Sequence, residues 1–336
     1  MACSSLPIIG RAKREVWSFA APWDMRSTES VKAHGASLDG IVSGWITLDS
    51  LTGEPTSQFA DSLFAPIPSG TEKLMLVTSF AGERFHPETI RGLAAAPTQL
   101  ARVANDIGQR ASVGGFEGIV MDFEQHVPAD LPALIAVTRA IRDAAHARDI
   151  RPVVLAIPPG DTAAYPGQPL AGAVDMLMIM LYDEHWASSP PGPIASPEWV
   201  RRQLGLRVAE VGAGRLVAGL PLYGYLWRRD STGRSSPAPS NSTPALTGYS
   251  GETVSFEDAQ GFAAAAGLSL ERDPSSGSLR AARPLVWELW VTDAELLRAL
   301  VDEADDAGVR RIALWRLGLE DEKIWGVGGG GWRVGK

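Results

Sequence analysis

Eight short segments of the chain are apolar almost throughout, and longer segments with helical periodicity lie between most of them. Segment 176–181 contains only Met, Leu and Ile, and such continuous apolar runs are typical of parallel strands covered on both faces. The eight strand candidates are segments 15–21, 40–48, 73–80, 118–124, 152–157, 174–182, 216–223 and 311–317.

Amphipathic periodicity predicts helices between these strands. Segment 131–148 has a stripe of apolar positions on one face, formed by Leu134, Ile135, Val137 and Ile141. Asp130 precedes this segment directly, and we expect its side chain to cap the helix. A second helix is expected after the capping-box pattern at 292–295, and Gly308 stands where that helix would end.

Eight strands alternating with helices predict an α/β fold, a (β/α)₈ TIM barrel. A doubly wound open sheet is the alternative, but no Gly-rich dinucleotide fingerprint follows the first strand. The seventh and eighth strands are about 80 residues apart, far more than a usual connection needs. We therefore expect a catalytic barrel over 14–326, a small α+β insertion over 228–291 and a flexible Gly-rich tail over 327–336.

Within the insertion, the Ser-, Pro- and Gly-rich segment 231–247 predicts a loop. Ser255 is placed to cap a short helix that runs to Gly267. Two strands, 268–272 and 283–290, are expected on either side of the turn 274–277.

Composition excludes several classes of protein. The 336 residues are 45% hydrophobic and 21% charged, which indicates a sizeable core rather than disorder. The formal net charge of −8 argues against a nucleic-acid partner, and no apolar run reaches the about 20 residues that a transmembrane helix needs. The single cysteine, Cys3, excludes a disulfide framework and a thiolate zinc site.

The fourth strand carries the candidate chemistry. Val120, Asp122 and Glu124 share one face of this strand because side chains alternate along it. In a barrel that face points inward, and the two carboxylates lie at the carboxyl end, where barrel active sites occur. As neighbouring like charges they raise the pKa of one member, as a general acid requires. A solvated pair of acids at the barrel rim is the alternative.

Four motifs in barrel order resemble those of glycoside hydrolase family 18, the chitinase-like hydrolases. Segment 117–124 is similar to the family signature D-G-x-D-x-D-x-E, and 180–183 to M-x-Y-D on strand six. Segment 219–224 is similar to G-x-P-x-Y-G on strand seven, and 314–318 to the Trp segment of strand eight. The wider pattern at Trp23-Asp24, Gly44-Trp45, 182–186 and 191–196 resembles family 18 modules found beside polysaccharide deacetylase and family 2 glycosyltransferase modules.

The resemblance implies a glycosidase that cleaves β-1,4 bonds next to N-acetylglucosamine, in chitin-like glycans, peptidoglycan or a related polymer. It implies a retaining mechanism in which the substrate's acetamido group is the nucleophile, an exception to the two-carboxylate rule. The implied catalytic residues are Glu124 as general acid/base, Asp122 orienting the amide, and Tyr182 bonding its oxygen. The implied substrate-binding residues are Asp183, Tyr223, Trp315 and Trp186. No metal or organic cofactor is implied.

One departure from the family pattern concerns the lower carboxylate of the signature. The family often has Asp where this chain has Val120, and Glu117 stands at the outer acidic position. We expect Asp122 to stay turned toward Glu124, with slower turnover or a different pH optimum rather than inactivity. The main alternative is a lectin-like binding protein of the same fold that has lost turnover, and a third is a barrel acting on deacetylated or otherwise decorated glycans.

Other residues have plainer interpretations. His126 and His185 lack further ligands at metal spacing, so loop or supporting roles are expected. Trp186 and Trp227 follow strands six and seven, and each is as much a candidate sugar platform as a rim-packing residue. Of Trp287 and Trp290, one is expected to line the cleft and the other to pack.

The expected setting follows from the substrate class. Such glycans suggest the cell envelope or the exterior, yet the only apolar stretch near the start, 6–9, is too short for a signal-peptide core. A monomer is expected.

Overall fold

The computed structural model describes residues 14–60, 65–229 and 248–326. Its strands in chain order are β1 (Glu15–Phe19), β2 (Gly40–Leu48), β3 (Pro55–Ser57), β4 (Glu72–Thr78), β5 (Phe80–Ala81), β6 (Arg84–Phe85), β7 (Gly118–Asp122), β8 (Val153–Ile157), β9 (Met176–Met180), β10 (Leu216–Pro221), β11 (Gly224–Arg229), β12 (Tyr249–Val254), β13 (Glu271–Arg272), β14 (Leu279–Arg283), β15 (Trp287–Val291) and β16 (Arg311–Trp315). Its helices are α1 (Met25–His34), α2 (Pro87–Ala95), α3 (Pro97–Val113), α4 (Leu131–His146), α5 (Gly167–Ala171), α6 (Pro197–Val211), α7 (Phe256–Ala265) and α8 (Ala294–Asp306).

Eight parallel strands close into a barrel. They are paired in the order β1, β16, β10, β9, β8, β7, β4 and β2, and β2 pairs with β1 to complete the ring. The short strand β3 adds to β2 in the antiparallel sense. The predicted (β/α)₈ barrel is confirmed, and each of the eight strands that form it matches a segment expected from its apolar run.

Two apolar layers hold the barrel together. The outer layer packs the strands against the helices, with residues such as Ile119, Leu134 and Ile141 fully buried. The inner layer fills the barrel interior, where Val120 packs with Trp17 and Met178. These apolar side chains therefore form a packed layer beneath the carboxyl ends of the barrel strands.

Helix ends follow the predicted capping at Ser255 and Gly308 and depart from it at Thr292 and Asp130. Ser255 accepts a hydrogen bond from Asp258 N at the start of α7. The capping box expected at 292–295, with Thr292 as the cap, is wrong by one residue, because Asp293 is the N-cap of α8 and accepts from Leu296 N. Gly308 follows α8 with φ of 80°, a conformation that suits glycine. The expected cap of α4 is wrong, because the Asp130 carboxylate makes no capping hydrogen bond to that helix and instead accepts from Val127 N at 3.1 Å.

The insertion is an antiparallel sheet in the order β12, β11, β15, β14 and β13, with α7 packed against it. The single strand expected over 283–290 is wrong, since β14 ends at Arg283 and β15 begins at Trp287 after a turn. The predicted loop at 231–247 and the Gly-rich run at 328–331 lie outside the described residues. Among those that are described, no helix has the length and apolar character needed to span a membrane.

Candidate active site

A cavity of about 400 Å³ opens at the carboxyl ends of the barrel strands. Six of the seven predicted site residues line it, namely Asp122, Glu124, Tyr182, Asp183, Tyr223 and Trp315. Aromatic and apolar side chains make up most of the remaining wall, namely Phe19, Trp23, Trp45, Leu76, Phe80, Phe85, Val120, Ala156, Met178, Met180, Tyr225 and Leu319, together with Thr253 and Arg316. The cavity thus combines a few polar groups with a broad apolar lining, as small-ligand sites do.

Asp122 and Glu124 stand at and just beyond the end of β7, and both are partly exposed to the cavity. Asp122 is in register with Thr78, the last residue of β4. The Thr78 hydroxyl lies 3.3 Å from the Asp122 Oδ2 and 3.1 Å from its main-chain oxygen, and it accepts from Phe80 N at 3.0 Å. Asp122 therefore has the Thr78 hydroxyl beside it. The Val120 side chain, on the same face of β7, offers Asp122 no polar group.

The two carboxyl groups change each other's proton affinity. Burial raises the pKa of Asp122 to about 6, while Glu124 and Thr78 oppose this shift. Burial also raises the pKa of Glu124 well above its ordinary value, and the charges of Asp122 and Asp183 add to the effect. Glu124 consequently keeps a proton at pH values where an exposed glutamate has lost it, which is the property of a general acid.

The chain directly after Glu124 is held in a sharp turn. Gln125 has φ of 62°, a left-handed conformation that is uncommon for a residue with a side chain. The Tyr165 hydroxyl accepts from His126 N at 3.1 Å and donates to Phe123 O at 3.0 Å, so it clamps both sides of the turn. This buried tyrosine, absent from the sequence-based predictions, fixes where Glu124 projects.

A second acid, Asp183, faces the cavity from the end of the sixth barrel strand. It too has a left-handed backbone, with φ of 58°, and its carboxylate accepts a hydrogen bond from the Tyr223 hydroxyl. Burial raises the pKa of Asp183 to about 6, and hydrogen bonding by Tyr223 and Tyr225 opposes that shift. Tyr225 was not predicted, although it follows Tyr223 by two residues at the start of β11, and that spacing is a signal that could have found it.

Trp315 lines the cavity and contacts neighbouring aromatic rings. Its ring lies nearly parallel to that of Tyr182, with centroids 6.4 Å apart, and edge-on to Phe19 at 5.1 Å. Trp45 follows at 6.2 Å, and Trp23 packs on Trp45 at 4.6 Å. Half of Trp23 is exposed, so an aromatic path leads from the acids to the outside.

The burial of the other tryptophans differs from what the sequence led us to expect. Trp227 is fully buried and cannot stack on a sugar, and its Nε1 donates to the main chain of Trp186 at 3.3 Å. Trp287 and Trp290 are both buried and neither is among the residues that line the cavity, so the expected division between them is wrong. Trp186 is 43% exposed but is not among the residues that line the cavity, and its binding role stays a prediction.

The two histidines have protein partners. His126 Nδ1 lies 3.3 Å from Asp130, and His185 Nδ1 lies 2.9 Å from the carbonyl of Pro190. Across the described parts of the chain, no cluster of three or more His, Cys, Asp or Glu residues has a geometry suited to a metal ion.

Comparison with known proteins places this geometry in context. No family model matches the chain. The Bacillus subtilis cortical fragment-lytic enzyme is 26% identical over 267 residues, which cover 76% of this chain and 59% of the relative. The matched segments of this chain cover 38% to 59% of the curated relatives.

Solved structures are similar over nearly the whole chain. The Bacillus cereus spore cortex-lytic enzyme SleL superposes with a TM-score of 0.78 at 18% identity, over 95% of this chain and 74% of that one. A family 18 chitinase from Cycas revoluta, in complex with (GlcNAc)₃, superposes with a TM-score of 0.72 at 17% identity, over 91% and 95% of the two chains. The chain has the fold of the family 18 chitinases and spore cortex-lytic enzymes. In this family 18 fold the cavity with Asp122 and Glu124 occupies the carboxyl end of the barrel, where barrel enzymes have their active sites.

Proposed function

We propose that the chain is a family 18 glycoside hydrolase that cleaves β-1,4 bonds next to N-acetylglucosamine. The observation that carries this proposal is Glu124, a carboxyl group that opens onto the cavity, lies beside Asp122 and has a pKa raised well above its ordinary value. An acid that only stabilised the fold would have a cation or several donors around it instead.

The proposed reaction begins when the substrate's acetamido oxygen attacks its own anomeric carbon. Glu124 donates its proton to the glycosidic oxygen, the bond to the leaving sugar breaks, and a charged oxazolinium ring forms. Glu124, now a carboxylate, then takes a proton from the water that opens this ring, which restores the acid. Two inversions at the anomeric carbon leave its configuration retained.

Three further residues would stabilise this intermediate. Asp122 would accept the hydrogen bond of the acetamido N–H and balance the ring's positive charge. The Tyr182 hydroxyl would donate to the acetamido oxygen, and it is suited to donate because burial raises its pKa well above the ordinary value. Holding the amide in this position replaces a bimolecular attack by an intramolecular one.

Asp183 and Trp315 would fix the sugar that reacts. The Asp183 carboxylate, held by Tyr223 and Tyr225, would accept from sugar hydroxyls. The Trp315 ring offers an apolar face for the sugar ring, and Trp45 and Trp23 extend that face outward. The Cycas revoluta chitinase bound to (GlcNAc)₃ and the cortical fragment-lytic relative both support a glycan of this kind as substrate.

Val120 makes the proposed cycle different from that of members with a third carboxylate. Its side chain is fully buried in the apolar inner layer and offers Asp122 no polar partner from below. We therefore propose that Asp122 stays beside Glu124 throughout the reaction, with the Thr78 hydroxyl as its lateral support. The motifs at Trp23-Asp24 and Gly44-Trp45 further support a module of the type found beside deacetylase and glycosyltransferase modules.

The test is to incubate the protein with chito-oligosaccharides and with peptidoglycan glycan strands, and to identify the products by mass spectrometry. The proposal predicts shortened chains with new N-acetylglucosamine reducing ends from at least one substrate. A protein that binds these glycans but releases no product would instead be a lectin-like member of the fold.

A further inference from the structure

The charged groups around the cavity are unequal in number. Asp122, Glu124 and Asp183 contribute three carboxyl groups, whereas Arg316 is the one basic side chain among the described residues that line the wall. The proposed hydrolysis of a neutral chitin-like chain assigns no task to a guanidinium. Arg316 therefore requires an explanation of its own.

Arg316 is held firmly from one side. Its Nη1 donates to Asp24 Oδ2 at 2.9 Å, and its guanidinium lies 5.7 Å from the centre of the Trp23 ring. The turn that follows is fixed at Gly318, where φ is 91° and any side chain would collide with the backbone of Ser27. The contacts with Asp24 and Trp23 orient the guanidinium.

The opposite edge of the same guanidinium is partly accessible, although the Arg316 side chain is only 14% exposed. Its Nε and Nη2 make no hydrogen bond to any residue in the described part of the chain, and neither atom is shut off from solvent. The hydrogens on these two nitrogens point the same way and form the planar fork that matches a carboxylate. The Asp24 carboxylate does not interact with Arg316 alone, because it also accepts a hydrogen bond from Arg26 N at the start of α1.

We propose that Arg316 binds the carboxylate of an acidic sugar next to the N-acetylglucosamine at Glu124, so that the substrate is a peptidoglycan-type glycan rather than neutral chitin. Where the stem peptide has been removed from that polymer, every second sugar carries a free lactyl carboxyl group, so a neighbour of the reacting N-acetylglucosamine is acidic. The placement of the glycan in this cavity rests on the proposed function.

Binding can be measured without hydrolysis in the Glu124→Gln background. The probes are a peptidoglycan tetrasaccharide without peptide and the same molecule with its lactyl carboxyls reduced to alcohols. Calorimetry should show the acidic form binding about 10- to 100-fold more tightly, as expected for a charge-assisted hydrogen-bonded pair. A ratio near one would overturn the proposal, and this comparison needs no change at Arg316.

Variants of Arg316 then assign the preference to this side chain. Arg316→Gln should bring the ratio of the two dissociation constants close to one, and Arg316→Lys should restore part of it. Arg26→Gln is the matched control, because Arg26 also approaches Asp24, at 3.8 Å, yet does not line the cavity. If Arg316→Gln weakened both probes by the same factor, the arginine would only support the wall and the proposal would be wrong.

The two proposals fail in different ways. If the unmutated protein hydrolyses neither glycan but the binding ratio holds, the proposed hydrolase activity is wrong and Arg316 still marks a site for acidic sugars. If it hydrolyses the acidic and reduced forms with equal kcat/KM and the binding ratio is one, the hydrolase stands and the role of Arg316 is wrong.

Discussion

The acid pair Asp122 and Glu124 at the end of β7 and the single acid Asp130 a few residues later differ in what surrounds them. Asp122 and Glu124 face a cavity without a basic partner in the described residues at hydrogen-bond distance, and the pKa of each is raised. Asp130 is buried as well, but it accepts from Val127 N at 3.1 Å and from Arg91 at 3.0 Å. These hydrogen bonds outweigh the effect of burial, so the pKa of Asp130 is lowered.

The contrast separates two uses of a buried carboxylate. A compensated acid such as Asp130 stabilises the fold and stays ionised, since every partner favours its charged form. An uncompensated acid such as Glu124 lowers the stability of the fold and keeps its proton. Such an acid indicates a functional site at which the proton is transferred.

The largest effect is expected at the uncompensated acid. Glu124→Gln keeps the shape of the side chain but removes the proton donor, so kcat should fall by about 10²- to 10⁴-fold while oligosaccharide binding survives. Steady-state kinetics and calorimetry on the same glycan check this. Glu117→Gln, at the exposed start of the same strand, should change kcat by no more than about twofold.

Adding a third acid next to Asp122 and Glu124, again without a basic partner among the described residues, should destabilise the protein. Val120→Asp places a carboxyl group in the apolar inner layer, and the free energy of unfolding should fall by about 2–5 kcal/mol unless the new acid shares a proton with Asp122. Denaturant unfolding measures the loss, and Val120→Thr, with nearly the same shape and no charge, should lose less. The pH optimum of Val120→Asp should also shift, because three coupled carboxyls titrate as a set.

Removing the compensated acid should affect the fold and leave the chemistry intact. Asp130→Ala deprives Val127 N and Arg91 of their acceptor, and we expect the free energy of unfolding to fall by about 1–3 kcal/mol. Asp143→Ala, on the exposed face of α4, should cost no more than about 0.5 kcal/mol. A loss of kcat in Asp130→Ala without a loss of stability would contradict the structural role assigned to it.

The pH dependence of stability should have opposite signs for the two acids. The pKa of Asp122 rises from 3.8 to about 6, so its contribution to stability is lost as the pH rises through this range. Melting temperatures of the unmutated protein should therefore fall between pH 4 and pH 6 relative to those of Asp122→Asn. This range lies about between the ordinary pKa of Asp122 and its raised pKa in the folded protein. Asp130→Asn should be less stable than the unmutated protein throughout that range, because the lowered pKa of Asp130 keeps it ionised there.

The fold was predictable because its signal is strong and local. Strands covered on both faces, such as Met176–Met180, must be apolar throughout, and eight such runs leave few alternatives. The insertion was harder to predict, since β14 reads Leu-Arg-Ala-Ala-Arg and shows neither alternation nor a continuous apolar run. Its pairing with β15 depends on tertiary contacts that a short segment does not encode.

The site was predictable where a family motif carries it and not elsewhere. Asp122, Glu124, Tyr182 and Trp315 belong to motifs at strand ends, and the barrel brings them together. Thr78 belongs to no such motif, and Arg316 lies within segment 314–318 but is not one of the residues that the motif marks; the contacts of both depend on the folded structure. Only the folded structure reveals that Thr78 lies beside Asp122 and that one edge of Arg316 is partly accessible.

The central claim is that Glu124 protonates a glycosidic bond while the substrate's own acetamido group attacks. The most direct measurement is proton NMR of a chito-oligosaccharide or peptidoglycan glycan digest, recorded before mutarotation, with Glu124→Gln as the control. We predict that the new N-acetylglucosamine reducing ends appear first as the β-anomer and that the variant produces almost none. First appearance of the α-anomer, or equal product from the variant, would contradict the account.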